Sequence, residues 1–298
     1  MDSIIYRQAI ISYRMSISRQ LRQLSTCIFA FIHDILSLRF IGSPFVMKNK
    51  NQSDLRKWIA SDEELKRRER LIELFYNCPI PKKEILANLG LFLNGPALSR
   101  ILFMHDLYQK IITVQGVVIE FGTRWGQNLA LFENFRALYE PFNFNRKIIG
   151  FDTFEGFPLA VKKDGSEAKP SDFMVTPQYE KYLEHILNYH ENENPVPHIK
   201  KFEIRKGDAA VELKKYLKEN PETIIALAYF DLDLYEPTKA CLKLIQDYIT
   251  KGSVIGFDEL NYHVFPGETI AYKEVVGLSK YKICRSPYSR INSYIVIE

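Results

Sequence analysis

Residues 116–158 (GVVIEFGTRWGQNLALFENFRALYEPFNFNRKIIGFDTFEGFP) constrain the fold of this chain more than any other stretch. A β-branched run at 117–119 ends at an acid, Glu120, and a turn holding Gly122 and Gly126 follows. From Gln127 the apolar residues Leu129, Ala130, Phe132, Phe135 and Leu138 recur at helical spacing, as in a helix with one buried face. Pro141 and Asn143 stop that helix, and a second apolar run at 147–151 ends in Asp152. Strand, glycine turn, helix and strand make a βαβ unit, which commits its strands to a parallel sheet covered by helices. Ligands of such units lie beyond the C-terminal strand ends. There the glycines open the backbone to them, and the helix N-terminal N–H groups face them.

The dinucleotide pattern G-x-G-x-x-G is absent; the residues from Glu120 to Gly126 run E-x-G-x-x-x-G. A pyrophosphate needs the tighter glycine cluster. Here an acid and an Arg124-Trp125 pair replace it, which suits a ligand without a diphosphate but with an amine. S-adenosylmethionine fits, with Glu120 facing its cationic methionyl end and Asp152 accepting from both ribose hydroxyls. Alone, the pattern equally describes a βα turn in which Glu120 caps the helix. Asp152, one unit later, favours the ligand.

At 298 residues the chain holds one α/β domain and a smaller appendage. Its net charge of +4 is uneven: residues 1–50 carry seven Lys or Arg against two acids, which leaves 51–298 at −1. Residues 1–46 therefore read as a basic extension, disordered or interfacial, with Met47 an alternative start. No nucleic-acid partner is expected. Cys27, Cys78, Cys241 and Cys284 lack C-x-x-C spacing, so neither zinc nor a disulfide frame is indicated and a cytoplasmic setting is expected. The greasy window at 27–47 is broken by His33, Asp34 and Arg39, well short of the ~20 apolar residues of a membrane span. Stable membrane insertion is not expected.

Residues 47–115 read as a helical cap, with a helix start at Ser61-Asp62-Glu63-Glu64 and helical pieces at 71–76, 85–93 and 97–112. Its expected role is packing and contact within a homo-oligomer. Residues 116–298 form the main domain. A polar insertion at 159–197 holds a helix at 178–189 and is long enough to be a lid. Strands follow at 202–205, 224–230 and 253–257, with helices at 209–218 and 237–250. Runs at 281–285 and 293–297 look like an antiparallel hairpin on the sheet edge. The first of these strands closes at Gly207-Asp208, where an acid can accept from an adenine amino group.

The strand at 224–230 delivers Asp231-Leu232-Asp233 to the rim, and the next delivers Asp258-Glu259. Carboxylates gathered at one rim repel unless a cation sits among them. An all-oxygen set suits a divalent ion, magnesium above all, at Asp231, Asp258 and Glu259. Asp231 and Asp233 are the candidate bases for a hydroxyl proton. His263 lies close behind and ranks below them, as a surface residue.

Taken together, VIEFGTRWGQNL, GFDTFEGFP, RKGDA, IALAYFDLDLYEPTKA, KGSVIGFDELN and PGETIA resemble the macrocin O-methyltransferase family. They are most similar to its branch that 3-O-methylates nucleotide-activated 6-deoxyhexoses of the TDP-rhamnose type. The resemblance spans residue 71 to the C-terminus. It implies a Rossmann-like class I methyltransferase fold: α/β, a mostly parallel sheet with an antiparallel C-terminal edge hairpin, and an N-terminal helical cap. It also implies S-adenosylmethionine as donor, a divalent cation and a small-molecule sugar or nucleotide-sugar acceptor. Carried over by match, Glu120, Gly122, Arg124, Trp125 and Gly126 form the donor loop. Asp152, Thr153 and Phe154 hold ribose and adenine, Gly207 and Asp208 meet the adenine's far edge, and Asp231, Asp258 and Glu259 bind the metal. The competing possibility is a metal-dependent glycosyltransferase, because Asp231-Leu232-Asp233 matches D-x-D. That alternative leaves Glu120 and Asp152 without a role.

Overall fold

The computed structural model describes residues 61–298. The basic extension, the Met47 start, the apolar window at 27–47 and the first part of the helical cap lie outside them. Helix α1 (Asp62–Tyr76) starts where its sequence signal says. Ser61 Oγ accepts from Glu64 N at 3.3 Å, and Glu64 Oε2 accepts from Ser61 N at 2.9 Å, a reciprocal capping box. The helix expected at 85–93 is instead short 3-10 turns, Lys82–Glu84 and Leu86–Phe92. Helix α2 (Gly95–Ile111) starts two residues earlier than expected. Asn94 caps it through Ala97 N (3.0 Å), and Pro96 sits in the first turn, where its missing N–H costs nothing.

A seven-stranded sheet follows: β1 (Val117–Phe121), β2 (Ile148–Asp152), β3 (Phe202–Lys206), β4 (Ile225–Phe230), β5 (Ile249–Phe257), β6 (Cys284–Arg285) and β7 (Ser293–Val296). Its order is β3-β2-β1-β4-β5-β7-β6. The first five strands are parallel, and β7 runs antiparallel between β5 and β6. The expected edge hairpin is therefore present, with its second strand inside and its first at the border. The connecting helices are α3 (Gln127–Tyr139), α4 (Tyr179–Glu193), α5 (Ala209–Glu219), α6 (Tyr235–Ile245) and α7 (Gly267–Val275). Helix α6 ends five residues before the expected 250, and β5 begins in the stretch that helix was to occupy. Nothing in the periodicity announced α7. Among the described residues no single helix is long and apolar enough to cross a membrane.

Strand alternation splits the core between two faces. Ile119, Phe121, Phe230 and Phe257 pack with Leu213, Leu242 and Tyr272 on the α5–α6–α7 side; Val118, Leu227, Tyr229 and Val254 pack with Phe103, Leu107 and Phe132 on the other. Phe121, Phe230 and Phe257 stand in register on neighbouring strands. Their ring centroids are 4.7 and 5.5 Å apart, and burying each such ring is worth roughly 2–3 kcal/mol. This phenylalanine row fixes the height of the strand ends. Between β1 and β4 the strand order reverses, which opens a crevice at the C-terminal rim.

Candidate active site

Glu120 is the penultimate residue of β1, flanked in register by Gly150 of β2 and Tyr229 of β4, and is 1% exposed. Its Oε1 accepts from Asn128 Nδ2 at 2.7 Å. Its Oε2 makes no hydrogen bond of normal geometry among the described residues, although the Thr123 hydroxyl lies near enough to favour the charged carboxylate, and Asn128 Oδ1 beside it has no partner there either. Burial pushes the Glu120 carboxyl up to about 8, against the pull of Asn128 and Arg100. A buried carboxyl with one orphaned oxygen lacks a donor, and a ligand ammonium would supply it.

The turn after Glu120 is shaped by glycine at two points. Gly122 (φ +87°) lies so close to the next rim segment that a Cβ would fall 1.9 Å from the Asp231 carbonyl oxygen. Gly126 (φ +74°) opens α3 in the left-handed region, its absent Cβ 2.2 Å from Leu183. Arg124, also left-handed (φ 48°), donates its N–H to Asp152 Oδ2 at 2.6 Å. Its guanidinium lies over the Phe173 ring of the insertion, 4.8 Å away. Trp125 is 38% exposed and meets Tyr179 edge-on at 4.7 Å, forming a wall of the opening.

Asp152 does more than sequence reasoning assigned to it. Its Oδ2 takes the Arg124 N–H, and its Oδ1 takes the Phe154 N–H at 2.5 Å. One side chain thus binds the donor turn to the turn after β2. Burial raises its pKa, and the two N–H groups hold that rise back. Each oxygen keeps a lone pair for a further donor. Thr153 Oγ1 is engaged in its own turn, donating to Gly156 O (3.1 Å) and accepting from Glu155 N (3.2 Å). Phe154 is buried with φ 58°. Asp208 caps α5 through Val211 N at 2.9 Å. It also lines a cavity of about 280 Å³ with Pro158, Leu159, Asp164, Leu234 and Pro237. Asp208 is the only residue expected at the donor that lines this cavity, which lies between the insertion and the starts of α5 and α6.

The acidic rim follows from register. Phe230 and Phe257 are paired, so Asp231 and Asp258 emerge side by side; their N–H groups donate to Phe121 O (2.8 Å) and Phe230 O (2.9 Å). The cation between them is a side chain. Arg100 of α2 reaches Asp231 Oδ2 at 3.1 Å with one nitrogen and Asp258 at 2.9 and 3.0 Å with the other. Asp258 also accepts from Tyr229 Oη and from Asn292 Nδ2, each at 2.6 Å. Burial raises the Asp231 pKa well above the carboxylate range, Asp258 adds to that, and Arg100 opposes it.

Glu259 turns elsewhere. Its carboxyl interacts with that of Asp233, and both are pushed upward, first by burial, with Asp233 at about 6. Buried Glu268, another acid, accepts from Glu259 N at 2.9 Å. Asp233 holds a left-handed backbone (φ 61°), and His263 is exposed beside Tyr262.

This arrangement does not support the expected magnesium site. Of Asp231, Asp258 and Glu259, the first two converge on Arg100 and the third faces Asp233. Among the described residues no group of three His, Cys, Asp or Glu is arranged to hold a metal ion. The repulsion that argued for a divalent ion is relieved by a guanidinium, and the set in this arrangement does not fit one. Arg100 had a sequence signal. It lies three, seven and eleven residues before Phe103, Leu107 and Ile111, on the apolar stripe of α2, where an arginine must find an acid.

No protein-family model matches the chain, and no curated protein does. Solved structures do. The crystal structure of CalS11, described as a calicheamicin methyltransferase, is 42% identical over 82% of this chain and 96% of its own, with a TM-score of 0.78. An apo structure of CalS11, described as a TDP-rhamnose 3'-O-methyltransferase of calicheamicin biosynthesis, is 40% identical over 82% of this chain and 98% of its own, with a TM-score of 0.72.

Proposed function

This chain belongs to the macrocin O-methyltransferase family of class I S-adenosylmethionine-dependent methyltransferases, in the branch of the TDP-rhamnose 3'-O-methyltransferases, and we propose that it methylates the 3-hydroxyl of a nucleotide-activated 6-deoxyhexose. One observation carries the assignment of the donor site. The buried Glu120 carboxyl with its orphaned oxygen stands at the head of a glycine turn that touches the Asp231 turn.

Bound there, S-adenosylmethionine supplies an electrophilic methyl on a sulfonium centre. Glu120 would receive the ammonium of its methionyl end, with Gly122 leaving the backbone open beside it. The remaining Asp152 lone pairs would accept from the ribose hydroxyls, with Thr153 and Phe154 beside the sugar and base and Gly207 and Asp208 toward the adenine. Arg100 holds the Asp231 carboxylate at the rim. With that donor bound, its methyl would pass to the acceptor oxygen, the carbon–sulfur bond breaking with its electron pair left on sulfur. The hydroxyl proton passes to Asp231 or Asp233. An Asp233 pKa of about 6 suits a base working near neutral pH. No part of this account requires a divalent ion.

Membership in a methyltransferase family sets aside the glycosyltransferase alternative, which left Glu120 and Asp152 without a role. A homo-oligomer accords with the exposed Ile72, Leu74 and Tyr76 of α1. A reducing cytoplasm accords with the free Cys78, Cys241 and Cys284.

The test is a mass-spectrometric screen for gain of one methyl group across nucleotide deoxyhexoses with donor present, beside calorimetric titration with S-adenosylhomocysteine. Methylation of a nucleotide deoxyhexose at its 3-hydroxyl is expected. Well-folded protein that fails to bind S-adenosylhomocysteine would overturn the donor assignment, and binding without methylation of any such sugar would overturn the acceptor.

A further inference from the structure

The insertion expected to act as a lid is stapled to the acidic turn by one buried side chain. Asp164 is 1% exposed. Its Oδ1 accepts from Tyr235 N and its Oδ2 from Val161 N, both at 2.6 Å. Tyr235 is the first residue of α6, which begins directly after Asp231-Leu232-Asp233. The N-cap residue of that helix is Leu234, whose side chain can accept nothing. Asp164, 71 residues earlier in the chain, provides the missing cap. Its charge lies at the positive end of the helix.

The same point is crowded from the other side. A Cβ on Gly267 of α7 would lie 2.6 Å from Tyr235 N, 2.7 Å from Asp164 Oδ1 and 2.8 Å from the Asp233 carbonyl oxygen. Outside the latch, Glu274 of α7 binds Lys163 at 2.7 Å and Lys239 at 2.6 Å. Asp233 itself holds φ 61°. A non-glycine residue is strained in that region and persists there only where its surroundings fix it.

We propose that Asp164 is a positioning residue for the methyl-transfer reaction: by capping α6 and packing beside Gly267 it holds the backbone that aims Asp231 and Asp233. The segment around residues 161–165 is then a fixed wall of the active site. This rests on the assignment of Asp231 and Asp233 as the candidate bases.

The test compares Asp164→Ala, Asp164→Asn and Gly267→Ala with the wild type, and uses Lys163→Met, on the exposed side of the latch, as control. In Asp164→Ala, kcat is expected to fall about tenfold to a hundredfold, the range that a small misplacement of reacting groups produces. Affinity for S-adenosylhomocysteine should stay within about threefold, a kcat-selective loss that simple destabilisation would not give. Asp164→Asn keeps one acceptor oxygen and should lie between Ala and wild type; Lys163→Met should match wild type. Amide hydrogen exchange over residues 231–236 should speed up in Asp164→Ala. Folded Asp164→Ala with wild-type kcat and unchanged exchange would overturn the proposal. If that variant does not fold, Gly267→Ala decides: wild-type kcat there overturns it equally. A wild type that binds donor but methylates no sugar counts against the assigned reaction instead, and the exchange comparison then decides on the latch.

Discussion

Glu120→Gln should stabilise the ligand-free protein while crippling donor binding, and the opposed signs make it a sharp test. The carboxyl sits at about 8 in the fold against an ordinary 4.5, chiefly because it is buried. A pKa raised on folding stabilises the native state fully below the unfolded value and loses that stabilisation as pH rises through the folded one. At 1.36 kcal/mol per unit, the whole span is worth about 5 kcal/mol at most. Glutamine removes the ionisation while keeping an oxygen for Asn128. The variant should therefore match wild type near pH 4.5 and exceed it by about 2–5 kcal/mol above pH 8, or roughly 5–15 °C in Tm for a domain of this size. S-adenosylhomocysteine, losing a charged partner for its ammonium, should bind at least about tenfold more weakly, since such bonds are worth roughly 1.5–3 kcal/mol. Near pH 7 the wild type should release close to one proton on donor binding, read by calorimetry in buffers of different ionisation heat. Calorimetric melts across pH 5–9 and the two titrations suffice. A Glu120→Gln protein less stable than wild type above pH 8, or one binding S-adenosylhomocysteine equally well, would refute the assignment.

Arg100→Met leaves Asp231 and Asp258 without their counter-ion and should cost about 1–3 kcal/mol, below the value of a fully buried pair because the site is partly exposed. Because Arg100 opposes the upward shift of Asp231, the deficit should be widest above the carboxylate range and narrow toward acid; urea denaturation giving equal deficits at pH 4.5 and 8 would contradict this. The same variant should bind manganese, followed by paramagnetic resonance, at least about tenfold more tightly than wild type, and unchanged affinity would show that the guanidinium does not hold the cation's place. Gly122→Ala must push the donor turn away from the Asp231 carbonyl, so both Tm and affinity for S-adenosylhomocysteine should drop, with retention of either counting against that contact.

Legibility in the sequence follows the range of the interaction responsible. Strands β1, β2, β4 and β5 are readable because apolar runs end at acids, and the capping box at Ser61 and Glu64 is a four-residue signal. Helix α7 has nine residues and mixed polarity, so its pattern is too short to stand out. Arg100 was visible only as an oddity on an apolar stripe, and its partners lie 131 and 158 residues away. Asp164 had no local signal: it lies in a polar insertion among lysines, and its cap falls on a helix far along the chain. Asp152 is expected at the donor from its place at the end of β2, but its tie to Arg124 N depends on a left-handed turn that spacing alone does not announce.

The rim's chemistry follows from register more than from composition. Since Phe121, Phe230 and Phe257 are level, each following residue leaves the sheet at one height, and Gly122, Asp231 and Asp258 become neighbours. Gly122 presses on the Asp231 carbonyl, so the donor turn and the acid turn cannot shift independently. Asp152 adds the turn after β2, and Asp164 with Gly267 adds the insertion and α7. Each contact joins two loops from different strands, and together they leave the Glu120 oxygen as an unmet demand in a frame fixed on all sides. A site so constrained gains selectivity from what it lacks: ligands without an amine at that point leave a buried carboxyl unpaired, and that penalty falls on them alone.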